Sequence, residues 1–164
     1  MKPVCIARKK ISGFKAGSCR NLSANVPEND SSSDQTKSAK KFSEITAVLY
    51  VVTIGPGIDN QVKALSEAGE VFEAYILNGI GGAAAEMTAL DFNLYVNEEL
   101  MASRGRGRYR RFSPGYGDWR LEEQQKIFAL LKPEDKIGVR LNESNLMIPE
   151  KSTSGIMLPA VFAE

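Results

Sequence analysis

Histidine is absent from all 164 residues. That removes the commonest general base near neutral pH and the commonest metal-binding side chain. Ser-His-Asp and Cys-His catalysis are excluded, as is any zinc site built on imidazole. Cysteine is scarce: Cys5 and Cys19 are far apart and form no C-x-x-C. Two residues cannot make a four-thiolate site, and free thiols in a cytoplasmic protein are expected. No apolar run approaches the roughly 18 residues of a membrane helix. The first charges are not followed by the apolar stretch of a secretion signal. Neither sign of charge dominates: 21 basic against 20 acidic side chains give a net charge of +1, with no general pull toward nucleic acid or anionic membrane. Any chemistry must use carboxylates, Lys, Tyr or a bound cofactor.

The length fits one domain spanning 1–164, and a hydrophobic content of 43% can fill a core. Residues 3–8 read as a short strand. Residues 22–44, rich in Ser, Asn, Asp and Lys, read as a flexible polar loop. ITAVLYVVTIG, 45–55, is a continuous β-branched and apolar run, hence a buried strand. The TIGPG turn that follows lacks G-x-G-x-x-G and a Walker lysine, so it reads as a plain strand-to-helix turn. Ile58, Val62 and Leu65 then predict an amphipathic helix ending at Gly69, with Asp59 or Gly57 as the cap.

Residues 71–102 predict a long helix with a break or close contact at Gly79, Gly81 and Gly82. Ala83, Leu90 and Leu94 mark its expected inner face, with Glu86 at or beside it. A carboxylate there needs a partner, and an arginine of 104–111 is the simplest one. That run, RGRGRYRR, also has the composition of an RNA-binding arm, though it is short and the chain is neutral. A further helix is expected over 121–131, with Leu121, Ile127, Leu130 and Leu131 inward, Glu122 and Glu123 in the first turn, and Pro133 as its stop. Residues 136–149 and 152–163 read as strands or extended segments. The order β, β, α, α, α, β, β predicts an α+β fold: a mainly antiparallel twisted sheet with flanking helices.

Four segments in order carry a resemblance: AVLYVVTIGPGIDNQV, NGIGGAAAEMTAL, RFSPGYGDWRLEEQQKIFALL and IGVRLNESNLMIPEKSTSGI. Together they resemble the activation domain of cobalamin-dependent methionine synthase, and more closely the short stand-alone proteins related to it. The anchors are Arg-x-x-x-Gly-Tyr at Arg111, Gly115 and Tyr116, and L-x-E-S followed by P-x-x-S-x-S-G. The resemblance spans about residues 45–157.

The resemblance implies S-adenosylmethionine binding in a shallow groove and service to cobalamin carried by a partner. There, a flavodoxin-like donor supplies an electron to inactive cob(II)alamin and S-adenosylmethionine supplies the methyl group. It implies no catalytic side chain, no metal held by the chain itself, and neither nucleic acid nor membrane as partner. The partner would be a methionine synthase lacking its own activation domain, or another corrinoid methyltransferase. Matched position by position, Arg111 would hold the methionyl carboxylate, and Ser113, Pro114 and Gly115 would present backbone to the ligand beside Tyr116. Glu86 would take the ammonium or balance the sulfonium. Glu143 and Ser144 would be structural.

The sequence departs from the family in three ways: the longer N-terminal part of the family domain, with a further acidic ligand contact, finds no match here, and two internal motifs differ. Gly117, Asp118 and Trp119 replace the Pro-Ala-Cys-Pro and His of many full-length synthases. Ile156 and Met157 stand where the family has a tyrosine at the ligand, so Met157 would supply an apolar contact instead of a phenol. Two functions stay open: a reactivation module that binds S-adenosylmethionine, or a scaffold that docks on a corrinoid methyltransferase without it. RNA binding through 104–111 ranks third.

Overall fold

The computed structural model describes residues 4–11, 45–104 and 108–160. The polar segment 22–44 lies outside them, as does the centre of the basic run. Strands β1 (Val4–Ile11) and β2 (Ile45–Thr53) lead into helices α1 (Gly57–Glu67) and α2 (Val71–Arg104). Strand β3 (Tyr109–Phe112) follows, then a 3-10 turn (Leu121–Glu123) that feeds α3 (Gln124–Leu131) and a short α4 (Pro133–Ile137). A small hairpin, β4 (Arg140–Leu141) with β5 (Met147–Ile148), precedes β6 (Ser152–Pro159). The main sheet has the order β1-β2-β6-β3. Every pairing in it is antiparallel, as expected from the sequence.

The sheet is buried on both faces. Successive strand side chains point to opposite sides. Ala47, Leu49 and Val51 of β2 therefore meet Ile127, Leu131 and Val139 from the α3–α4 side, along with Ile156 and Leu158 of β6. Val48, Tyr50 and Val52 meet Ala89, Phe92 and Val96 of α2, with Tyr109 and Met157. Double burial explains why 45–53 reads as an unbroken apolar run rather than an alternating one.

The structure corrects the expected inner face of α2. Ala83, Leu90 and Leu94 point to solvent, and the face against the sheet is Ala85, Thr88, Ala89, Phe92 and Val96. The helix is apolar on two opposite sides, so periodicity alone could not choose between them. Small residues took the inward side because they bring the helix close to the sheet. Gly81 is a close contact, as expected: a Cβ there would lie 2.7 Å from Ile58 of α1 and 2.9 Å from the Lys151 side chain. Neither Gly79 nor Gly82 breaks the helix.

Other expectations shift locally. The α1 side-chain cap does not form. Instead Asp59 accepts the Glu150 backbone N–H at 2.7 Å and pairs with Lys151 Nζ at 3.4 Å. Lys151 is nearly buried and also donates to Asn78 at 2.7 Å, so one ammonium ties α1, α2 and the start of β6 together. Leu130 is exposed, while Gln124 is buried in its place. The basic run ends in an edge strand, β3. Its Tyr109 exchanges both backbone hydrogen bonds with the buried Asn97 side chain of α2: the N–H donates to Oδ1 at 2.6 Å, and the carbonyl accepts from Nδ2 at 3.2 Å. Residues 136–149 give only the two-residue strands β4 and β5, after Pro133 has opened α4 as well as closing α3.

The two leucines at the end of α3 therefore differ. Leu131→Ala should cost about 2–5 kcal/mol, the usual range for emptying a packed site. Leu130→Ala should stay within about 0.5 kcal/mol, as exposed substitutions do. Urea unfolding of both variants, read against the unaltered chain, checks the assignment.

Candidate functional site

Arg111 lies on β3 opposite Met157 of β6. Strand alternation turns its side chain to the α2 side, where the guanidinium donates to Glu86 Oε1. The arginine expected to partner Glu86 is thus Arg111 itself. The Arg111 side chain is 21% exposed and that of Glu86 60%, so the pair sits at a rim, open to solvent on one side. Burial works against the Arg111 charge, yet with the Glu86 hydrogen bond first among the opposing causes its basicity lies above the ordinary value.

Behind the pair stands Tyr50, fully buried, which sequence reasoning missed. Its hydroxyl lies 3.5 Å from Ser113 Oγ. Tyr50 pairs with Gly155 across β2 and β6. A Cβ on Gly155 would collide with the Phe112 carbonyl oxygen and come within 2.9 Å of the Tyr50 hydroxyl and 3.0 Å of Ser113 Oγ. The missing side chain lets the tyrosine reach over β6 to the turn. Burial raises the phenol pKa, only partly offset by the Ser113 hydrogen bond and the Arg111 charge, so Tyr50 is a neutral hydroxyl near neutral pH. The signal for it was weak: one polar atom in an apolar run.

The turn after β3 holds itself in shape. The Gly115 N–H donates to the Trp119 carbonyl at 2.8 Å, and the Tyr116 N–H to the Ser113 carbonyl at 3.4 Å. Gly115 has φ +90, which glycine adopts without strain. Its N–H is therefore already used, and what the turn presents outward is the Ser113 hydroxyl and the exposed Tyr116 ring. Trp119 packs into the α3-side core beneath the turn. Its indole N–H is buried and has no acceptor among the described residues.

These parts border a groove of about 650 Å³ at the end of the sheet. Of the residues singled out in the sequence, Glu86, Arg111, Ser113, Pro114 and Tyr116 line it. Gly115 and Met157 do not. Met157 is fully buried on the α2 face, with its sulfur 3.5 Å from Asn93 Nδ2, so it stands outside the groove. Its neighbour Ile156 points to the other side of the sheet and does line the groove. The far wall is the β4–β5 loop, held by buried Gln124, which donates to the Asn145 carbonyl at 2.8 Å and accepts from Ser154 Oγ at 2.6 Å. Glu143 and Ser144 are exposed, and the structural role in that loop falls to Asn142, whose Oδ1 accepts the Ser144 and Leu146 N–H groups. Among the described residues no cluster of acids and cysteines could hold a metal ion. No described helix is long and apolar enough to cross a membrane.

A rim of paired opposite charges on a medium-sized groove, with the order of motifs around it, is what comparison with known proteins can decide. The family model described as the vitamin B12 dependent methionine synthase activation domain matches residues 20–163. The chain belongs to this activation-domain family. A methionine synthase from Mycobacterium tuberculosis (strain ATCC 25618 / H37Rv) is 31% identical over 126 residues, covering 66% of this chain and 10% of that protein. A solved structure titled as the MetH reactivation domain bound to AdoHcy shares the fold at a TM-score of 0.60 and 22% identity, covering 70% of this chain and 39% of that one. The chain thus spans about a tenth of the synthase and about two fifths of the solved reactivation domain.

Gly155→Ala should displace either the Phe112 carbonyl or the Tyr50 hydroxyl, at a cost of about 1–3 kcal/mol. Tyr50→Phe removes only one hydrogen bond and should cost about 0.5–1.5 kcal/mol. Thermal unfolding that ranks Tyr50→Phe as the costlier change would contradict the packing described.

Proposed function

We propose that this activation-domain protein binds S-adenosylmethionine, or S-adenosylhomocysteine as its product, by the amino-acid end. One observation carries the reading: Arg111 and Glu86 form an ion pair at the rim of the groove. A bound amino acid is a zwitterion. Its carboxylate can replace Glu86 at the guanidinium, and its ammonium can replace Arg111 at the carboxylate. The exchange conserves charge, so no unpaired ion is left at a half-buried rim. Ser113 and the Tyr116 ring flank the same position. The volume lies within the range of about 300–1,000 Å³ usual for small-molecule sites. The AdoHcy named with the solved reactivation domain supports this ligand class.

The function that follows is reactivation of a cobalamin-dependent methyltransferase of the methionine synthase type, whose corrinoid is carried by a partner protein. A flavodoxin-like donor would supply the electron, and the setting would be the cytoplasm. The corrinoid supplies the methyl-accepting chemistry. This chain would hold the sulfonium ligand in place and keep its charged end neutralised. The leaving thioether is neutral and no proton moves, so a chain without histidine suffices. The scaffold alternative has one observation on its side: Arg111 and Glu86 satisfy each other with no ligand present.

Calorimetric titration separates the two. Saturable heat with S-adenosylmethionine or S-adenosylhomocysteine is expected, and Arg111→Ala should weaken it by about 2–4 kcal/mol through loss of a charged partner. No heat at millimolar ligand, together with a retained complex with a corrinoid methyltransferase, would favour the scaffold. Unchanged affinity in Arg111→Ala would remove the arginine from the site.

A further inference from the structure

Helix α2 carries a second apolar side that nothing in the described fold covers. Phe72, Ile76, Ile80, Met87, Leu90 and Leu94 are 39–72% exposed. With Ala83 between Ile80 and Met87, successive members are three or four residues apart. They therefore lie along one line of the helix, about 33 Å long at 1.5 Å per residue. The stripe is opposite the face that packs on the sheet, and α1 meets the helix at Gly81, on its buried side. Tyr75 flanks the line on one side and Tyr95 on the other, and both are exposed. Contiguous exposed apolar side chains on this scale mark an interaction surface.

The charges around the stripe say what kind of surface fits it. From Val71 to Arg104 the helix has five acidic residues, Glu73, Glu86, Asp91, Glu98 and Glu99, and one basic residue, Arg104 at its end. Glu73 and Glu98 are exposed along one edge of the stripe. A second copy packed antiparallel on this face would set acidic edge against acidic edge, which is unfavourable. An anionic membrane surface would be repelled in the same way. We infer that the stripe seats an amphipathic helix of a partner polypeptide, apolar along one face and basic along the edge that meets Glu73 and Glu98. Such a helix laid in line buries the leucines and isoleucines of both partners and pairs the charges at the border. Met87 follows Glu86 directly, so the partner would sit beside the mouth of the groove without entering it. The inference stands independently of which ligand the groove takes.

The test uses the full chain and two synthetic helices of about 25 residues, long enough to cover the stripe. Both carry leucine on one face; one carries lysine at its edges and the other glutamate. By fluorescence anisotropy the leucine–lysine helix should bind saturably, and more weakly as salt rises. The double substitution Ile80→Glu with Leu94→Glu should weaken it at least about tenfold, whereas Leu130→Glu on α3 should not. Because all three positions are exposed, circular dichroism and melting should be unchanged. Glu73→Lys with Glu98→Lys should reverse the preference toward the leucine–glutamate helix. Equal binding of both helices, or indifference to Ile80 and Leu94, would overturn the inference. So would a concentration-dependent dimer in sedimentation equilibrium, or binding to phosphatidylserine vesicles stronger than to the lysine helix.

Discussion

The alternation of side chains along strands β2, β3 and β6 is the constraint on which the rest depends. Both faces of the sheet are covered, so a shift of register by one residue would exchange the two cores. With the register as it stands, Tyr50, Arg111 and Met157 face α2, whereas Leu49, Phe112 and Ile156 face α3. Every element of the candidate site inherits its direction from this rule. Arg111 reaches Glu86 because β3 is an edge strand held to α2 by Asn97. Tyr50 reaches Ser113 because glycine occupies position 155 between them.

Electrostatics at the rim contributes little to holding the fold. An exposed ion pair contributes little to folding, because water screens it and ordering two long side chains costs entropy. Glu86 is mostly exposed, so the pair with Arg111 is better understood as a stored complementarity than as a structural brace. The braces lie elsewhere. Lys151 is buried against Gly81 and bonded to Asn78, and Asp59 and Gln124 fix the chain that leads into β6. Stability and recognition are thus assigned to different charged or polar groups.

Much of the architecture was legible because it follows from local pattern. The apolar run 45–53, the helix after the TIGPG turn, and the long helix from Val71 all formed where the spacing indicated. The motif around Arg111, Ser113, Pro114 and Tyr116 brought those residues to one groove with Glu86. The errors share a cause. The inner face of α2 was misread because the helix is apolar on opposite sides, and periodicity carries no sign. Met157 was placed at the ligand because family alignment gives a position without a direction, and the pleat sends alternate residues to opposite faces. Leu130 and Gln124 exchanged their expected environments because a buried glutamine is favourable only once Ser154 and Asn145 are near enough to satisfy it.

By itself, the sequence determined what chemistry is absent, the class of fold and the membership of the activation-domain family. Each of these rests on composition or on local order along the chain. Only the tertiary structure decided that Arg111 and Glu86 meet, that Tyr50 stands behind them, and that no other described residue covers one apolar side of α2. Those facts depend on register, on which face of a helix packs, and on space left by single glycines. Contacts between residues distant in the chain set all three.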